Sequence, residues 1–83
     1  MTKDEIKAAV LEALKAVAPE VEEASLDPDE NLREQLDVDS MDFLNFIIGL
    51  HEALKIDIPE ADYAKLSTLN SAIDYVAAHA PAA

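Results

Sequence analysis

The stretch that decides the fold is Ser40-Met41-Asp42-Phe43-Leu44-Asn45-Phe46-Ile47-Ile48-Gly49-Leu50-His51-Glu52-Ala53-Leu54. At about 100° per residue, Phe43, Phe46, Ile47, Leu50 and Leu54 share one face of a helix, and Asp42, Asn45, Gly49 and Glu52 share another. Met41, Leu44 and Ile48 form a second apolar stripe beside the first. Fifteen residues with this wheel are too many and too regular for a strand. Asp39 and Ser40 are favoured N-caps, an acid in the first turn suits the positive helix end, and Pro59 forbids continuation.

Upstream, Ile6, Val10, Leu14 and Val17 recur at helical spacing, with Leu11 beside them. Thr2 followed by Glu5 matches a capping box, and the spacing predicts a helix over 3–17 that stops at Ala18-Pro19. Residues 18–39 show no sustained period. They read as a long loop pinned by Val21, Leu26, Leu32 and Leu36, turning at Asp27-Pro28-Asp29, with room for one helical turn around Asn31–Gln35. A connection of this length in a small domain points to function.

Downstream, residues 61–65 make one short helix. A last helix runs from Thr68, with Leu69, Ala72, Ile73, Val76 and Ala77 on one face and His79 near its end. Residues 80–83 are expected to fray. The expected architecture is all-α: a small four-helix bundle of three main helices and one short one, forming a single domain over 1–83, ordered from about 3 to 79.

Composition narrows the function. The chain has 83 residues, no cysteine, six basic and eighteen acidic residues, and a net charge of −12. A core this thin rarely encloses a substrate cleft. Cysteine nucleophiles, thiolate metal sites and disulfides are ruled out. The charge opposes binding to nucleic acid and anionic membranes and favours basic protein surfaces. With 51% hydrophobic residues the chain is not a disordered acidic tail, and no apolar run of about 18 residues is present to span a bilayer. A polar, acidic beginning is unlike a signal peptide, so a cytoplasmic monomer is expected.

Enzyme chemistry finds little purchase. His51 and His79 stand alone and read as solvated helix positions, and Tyr63 and Tyr75 read as packing or rim residues. Ten carboxylates lie between Glu20 and Asp42 with only Arg33 among them, a local net charge of −9. Asp37-x-Asp39-x-x-Asp42 fails as a calcium loop, because the positions that need a ligand, a glycine and a glutamate hold Met41, Asp42 and Ile48. No metal site is expected. Asp39-Ser40-Met41-Asp42 is the remaining feature. As a plain helix cap it needs no function, but Ser40 meets a long exposed loop, and three main helices cannot fully cover the Met41/Leu44/Ile48 stripe.

Taken together the chain resembles the acyl carrier protein family. The family marker Asp-Ser-Leu, often followed by Asp, stands here as Asp39-Ser40-Met41-Asp42. Ile56-Asp57-Ile58-Pro59-Glu60, Lys65-Leu66-Ser67-Thr68 and Ala72-Ile73-Asp74-Tyr75-Val76 match the family's later segments in order. The resemblance implies that Ser40 is esterified with 4′-phosphopantetheine, transferred from coenzyme A by a Mg²⁺-dependent phosphopantetheinyl transferase (the holo-synthase) that Asp39 helps to engage. The arm's thiol would carry acyl groups as thioesters, so a chain without cysteine would import its sulfur. The resemblance further implies a partner face of Met41, Asp42, Leu44, Ile48 and Glu52, offered to loading and processing enzymes with basic docking surfaces. The chain itself would catalyse nothing and would serve fatty-acid or related lipid or polyketide synthesis.

Three departures bear on specificity. Asp37 replaces a common glycine three residues before the serine, at a position where Asp tolerates a left-handed backbone. Asn45, His51 and Ala53 stand where general fatty-acid carriers often have glutamates, which points to a dedicated partner. Many members shelter a short acyl chain between their helices, and here the bulky Phe43 and Phe46 compete for that space. Two alternatives stay open: an aminoacyl or other specialised carrier with its own ligase, and an acidic helical adaptor or divalent-ion binder in which Ser40 is only a cap.

Overall fold

In the computed structural model, residues 2–79 are described. Helices α1 (Lys3–Val17), α2 (Leu32–Leu36), α3 (Ser40–Leu54) and α4 (Leu69–His79) are joined by irregular chain, with 3₁₀ turns at Glu23–Ser25 and Glu60–Leu66. The described residues contain no strand, and the expected all-α bundle is what forms. The expected fraying of 80–83 lies outside the described residues.

Local signals set the helix ends. Thr2 Oγ1 accepts the Glu5 N–H at 3.2 Å while Glu5 Oε1 accepts the Thr2 N–H at 2.9 Å, the reciprocal pair that opens α1. These bonds, backbone first, hold the Glu5 carboxyl below its ordinary range. At the other end, Ala18 donates back to the Leu14 carbonyl at 2.7 Å before Pro19 breaks the run. Thr68 and Ser71 cap α4 reciprocally: the Ser71 N–H reaches Thr68 Oγ1 at 3.0 Å and the Thr68 N–H reaches Ser71 Oγ at 3.1 Å.

Helix α1 is the hub, with α3 and α4 both packed against it. Ile6, Val10 and Leu14 meet Phe46, Ile47 and Leu50 of α3 and Leu69, Ala72, Ile73, Tyr75 and Val76 of α4 in one core. Phe46 is fully buried at its centre, with the half-buried Phe43 ring 5.7 Å away. Gly49 faces α1: a methyl group added there would sit 3.8 Å from the Ala13 Cβ, an ordinary contact.

Two expectations need correction. Residues 18–39 are not an unbroken loop, since the 3₁₀ turn at 23–25 and helix α2 divide them. Asn31 caps α2 by accepting the Glu34 N–H at 3.1 Å, so the possible turn at Asn31–Gln35 becomes a helix one residue later. The short helix expected at 61–65 forms, wound as a 3₁₀ segment over Glu60–Leu66. On α4, Ala77 is exposed and Tyr75 is buried instead. A tyrosine fits there because its hydroxyl finds a partner, donating to Asp62 Oδ2 at 2.8 Å.

Polar braces hold the connection between α1 and α3. The Gln35 amide bonds the Asp27 N–H at 2.9 Å and the Asp27 carbonyl at 2.8 Å. The Leu32 N–H donates to the Ser67 carbonyl at 2.7 Å, and Asn70 bonds both the Pro28 carbonyl (3.0 Å) and Asp29 Oδ1 (2.7 Å). The pins Val21, Leu26 and Leu32 are buried, and Leu36 is half-buried.

Candidate functional site

Ser40 is the first residue of α3 and is exposed. The turn before it is set by Asp37, which adopts the left-handed conformation (φ 53°, ψ 43°) and ends α2 by donating to the Arg33 carbonyl. The Val38 N–H donates to the same carbonyl at 3.1 Å. This is the closure that helices commonly make with glycine, and here Asp supplies it. Asp39 then takes an extended backbone and caps α3, its Oδ1 accepting the Asp42 N–H at 2.9 Å. The Ser40 hydroxyl therefore stands at the mouth of a helix rather than inside it.

Beside Ser40 lies an open groove of about 510 Å³ between α2, α3 and the 3₁₀ segment 60–66, walled by Arg33, Met41, Phe43, Leu44 and Tyr63 among others. Tyr63 also borders a second groove of about 450 Å³ farther along α3, with Ile48, His51 and Ile58 in its wall. The two hollows share Tyr63 as a wall residue, and the pair of them makes up the trough beside α3. The 3₁₀ segment bearing Tyr63 is anchored on α4 by the Tyr75–Asp62 bond and braced by Lys65, whose Nζ lies 3.2 Å from Asp62 Oδ1. The Tyr75 hydroxyl, then Lys65, holds the Asp62 carboxyl below its ordinary value. Burial first, and Asp62 second, pushes the Tyr75 phenol up to about 12.

The residues expected at the site do not all come together. Ser40, Met41 and Leu44 border the first groove and Ile48 borders the second. Met41 is 65% exposed and Ile48 42% exposed, which is unusual for large apolar side chains, while Leu44 is half-buried. Glu52 is exposed one turn beyond Ile48, on the same stripe as Met41. Asp42 lies elsewhere, half-buried in a depression with Val17, Val21 and Leu36. Arg33 and Tyr63 are wall residues that sequence reasoning did not place at the site; the isolation of Arg33 among carboxylates was the signal available for it.

Both histidines are exposed but not idle. His51 Nδ1 lies 2.6 Å from the Ile56 carbonyl oxygen and His79 Nδ1 lies 2.8 Å from that of Tyr75. Carbonyls only accept, so Nδ1 carries the proton in each bond. His79 also stacks on Tyr75 at 4.0 Å between ring centroids. Neither imidazole meets a nucleophile. Among the described residues, no group of three or more His, Asp or Glu side chains is placed to hold a metal ion. No described helix is long and apolar enough to cross a membrane.

An exposed hydroxyl at the head of a helix, opening on a groove with carbon-rich walls and a polar rim, suits a long covalent substituent with a charged root. Comparison with known proteins agrees. The family model described as "Phosphopantetheine attachment site" matches residues 4–76. An acyl carrier protein of Rubrobacter xylanophilus is 37% identical over 59 residues, covering 71% of this chain and 73% of that protein. A solved structure of an acyl carrier protein from Enterococcus faecalis superposes with a TM-score of 0.76 over 96% of this chain and all of that one; at 22% identity it attests the fold alone. On the family match and the Rubrobacter relative, the chain belongs to the acyl carrier proteins, carriers rather than enzymes, which bear a covalently attached phosphopantetheine.

Proposed function

We propose that Ser40 is the attachment point, and that the whole chain acts as a single carrier domain taking acyl intermediates to partner enzymes of fatty-acid, related lipid or polyketide synthesis. The observation that carries this reading is the exposed Ser40 hydroxyl at the start of α3, opening directly on the groove. When attached, the arm supplies a thiol that holds the acyl group as a thioester. The chain's own residues anchor the arm, steer it along the trough and identify the carrier to its partners.

Asp39 is the residue proposed to engage the phosphopantetheinyl transferase, besides capping α3. Met41, Leu44 and Ile48, with Glu52 beside them, make the proposed docking face: apolar side chains for a small hydrophobic contact and a carboxylate for a basic partner residue, while Asp42 lies off this face against Val17 and Val21. Asn45, His51 and Ala53 are all exposed, so this face has fewer charges than a general fatty-acid carrier would offer. That supports a dedicated partner, and with it the second reading of an aminoacyl or other specialised carrier loaded by its own ligase. The buried Phe46 ring fills the middle of the bundle, which favours a path for cargo along the trough rather than into the core.

Incubation with coenzyme A, Mg²⁺ and a broad-specificity transferase, read by intact mass, tests the attachment. Wild type gains the arm and Ser40→Ala does not. A wild-type mass unchanged by several transferases returns Ser40 to the role of a cap and the chain to an acidic adaptor. Mass spectrometry of the protein from its own cells then identifies the cargo and separates acyl from aminoacyl loading.

A further inference from the structure

Arg33 is the only arginine of the chain and the only basic residue between Lys15 and Lys55, set among ten carboxylates between Glu20 and Asp42. Such a cation would be expected to settle on one of those carboxylates. It does not: among the described residues Lys3, Lys7 and Lys65 each make an ion pair, and Arg33, like Lys15 and Lys55, makes none. Instead it lines the groove that Ser40 opens into.

Its placement is firm. The Arg33 carbonyl accepts the N–H groups of both Asp37 and Val38, so its Cα is tied to a point two residues before Ser40. On the other side, the neighbouring Leu32 N–H is bonded to the Ser67 carbonyl at 2.7 Å. The backbone of Arg33 and the serine at the mouth of the groove are thus held in a fixed relation.

We infer that Arg33 is the residue that receives the phosphodiester of a Ser40-linked arm. This rests on Ser40 being the attachment point. An anion fixed at Ser40 stands next to Asp39 and Asp42, with Asp37 one turn back, all repelling it. Arg33 is the one cation in the wall of the groove that Ser40 opens into, always ionised and able to offer a phosphate two parallel N–H donors. Pairing there draws the root of the arm against the α2 wall and directs the remainder toward Tyr63 and the trough. Without it, the same carboxylates drive the arm out into solvent. Arg33 is accordingly a positioning residue, and it distinguishes a carrier that lays its arm down from one that lets it swing free.

A single arginine makes the test direct, because the chain has one Arg Nε–H resonance. Protein labelled with ¹⁵N is compared before and after loading, with intact mass verifying the arm. The expected result is a shift of that resonance on loading that shrinks as NaCl is raised. The ³¹P resonance of the loaded protein should also move in Arg33→Gln toward that of the same loaded chain unfolded in urea, where the phosphodiester meets only solvent, with Arg33→Lys between the two. A loaded mass with the arginine resonance unmoved, and a ³¹P signal alike in wild type and Arg33→Gln, overturns the pairing while leaving the Ser40 assignment intact. A mass that never changes overturns both. The wild-type comparison needs no variant, so a folding defect in Arg33→Gln cannot obscure the outcome.

Discussion

The Oδ1 atom of Asp39 accepts the backbone N–H of Asp42 at 2.9 Å, so one carboxylate spans Met41 and Ser40, the proposed attachment point. Asp39 is thereby a helix cap on structural grounds alone, whatever it does for a transferase. The two roles separate by substitution. Asp39→Ser keeps a capping oxygen and should melt close to wild type, whereas Asp39→Ala should lose about 1 kcal/mol. If the carboxylate also serves recognition, both variants load the arm about tenfold more slowly or worse, the equivalent of one charge-assisted contact. Loading that follows stability instead would reduce Asp39 to its cap.

Asp37 offers a cleaner backbone test. Its φ of 53° lies where a Cβ is disfavoured, least so for Asp and Asn. Asp37→Gly is expected to hold or raise the melting temperature, since relief of that conformation offsets the greater freedom glycine has when unfolded. Asp37→Val should lose about 1–2 kcal/mol, because a branched Cβ resists this region most. Equal stability of the two variants in chemical denaturation would mean that the turn opens easily.

The Tyr75–Asp62 bond predicts a two-sided pH dependence. Asp62 is lowered from its ordinary 3.8, by Tyr75 first and Lys65 second, so its contribution is complete above 3.8 and fades as pH falls through the lower folded value. Tyr75 is raised from 10.0 to about 12, by burial first, so its contribution is complete below pH 10.0 and is lost as pH climbs toward 12. Thermal melts across the acid and alkaline limbs should fall at both ends in wild type. Tyr75→Phe should be less stable at neutral pH and flatter on both limbs, the alkaline decline that remains belonging to Lys7, which Glu23 raises. A variant that keeps both limbs unchanged would place the titration elsewhere.

Burial separates core from face on one helix. Phe46→Ala should cost about 3–5 kcal/mol, a large part of what a domain this small possesses. Met41→Ala and Ile48→Ala should each change stability by no more than about 0.5 kcal/mol, yet weaken capture by the transferase in a competition assay. A melting temperature that drops sharply for either exposed residue would show it to be structural.

Net charge sets the response to salt. With −12 on 83 residues, self-repulsion should lower stability in dilute buffer and ease as screening shortens from about 30 Å at 0.01 M to about 3 Å at 1 M salt. Mg²⁺ and Ca²⁺ should also raise the melting temperature. Because no carboxylate cluster among the described residues is built to hold an ion, their effect should climb gradually with concentration. A sharp, saturating response at micromolar Mg²⁺ would reveal a site.

Much of this architecture is readable before any coordinates. Helix α1 begins and ends where Thr2 with Glu5 and Pro19 say it should, and α3 begins where Asp39 says, because capping and proline geometry are local. The buried α3 face was legible for the same reason. Tertiary choices were not. Whether 60–66 winds as α or 3₁₀ is set together with its attachment to Tyr75, and Tyr75 displaces Ala77 from the core through a bond to a residue thirteen positions away. The groove beside Ser40 requires Leu32 to find Ser67, a link across the chain that no periodicity announces. That is why Ser40 stood out in the sequence while its wall residues Arg33 and Tyr63 did not.

The chain's one glycine, Gly49, sits mid-helix where alanine would also fit, and the two left-handed corners fall to Asp37 and Lys55. Those corners stand just before and just after α3. Neither corner has glycine's freedom, so α3 lacks the glycine hinges about which a helix could pivot to meet each enzyme in turn. On the proposed function, reach between partners' active sites would then fall to the arm at Ser40 rather than to the helix that bears it.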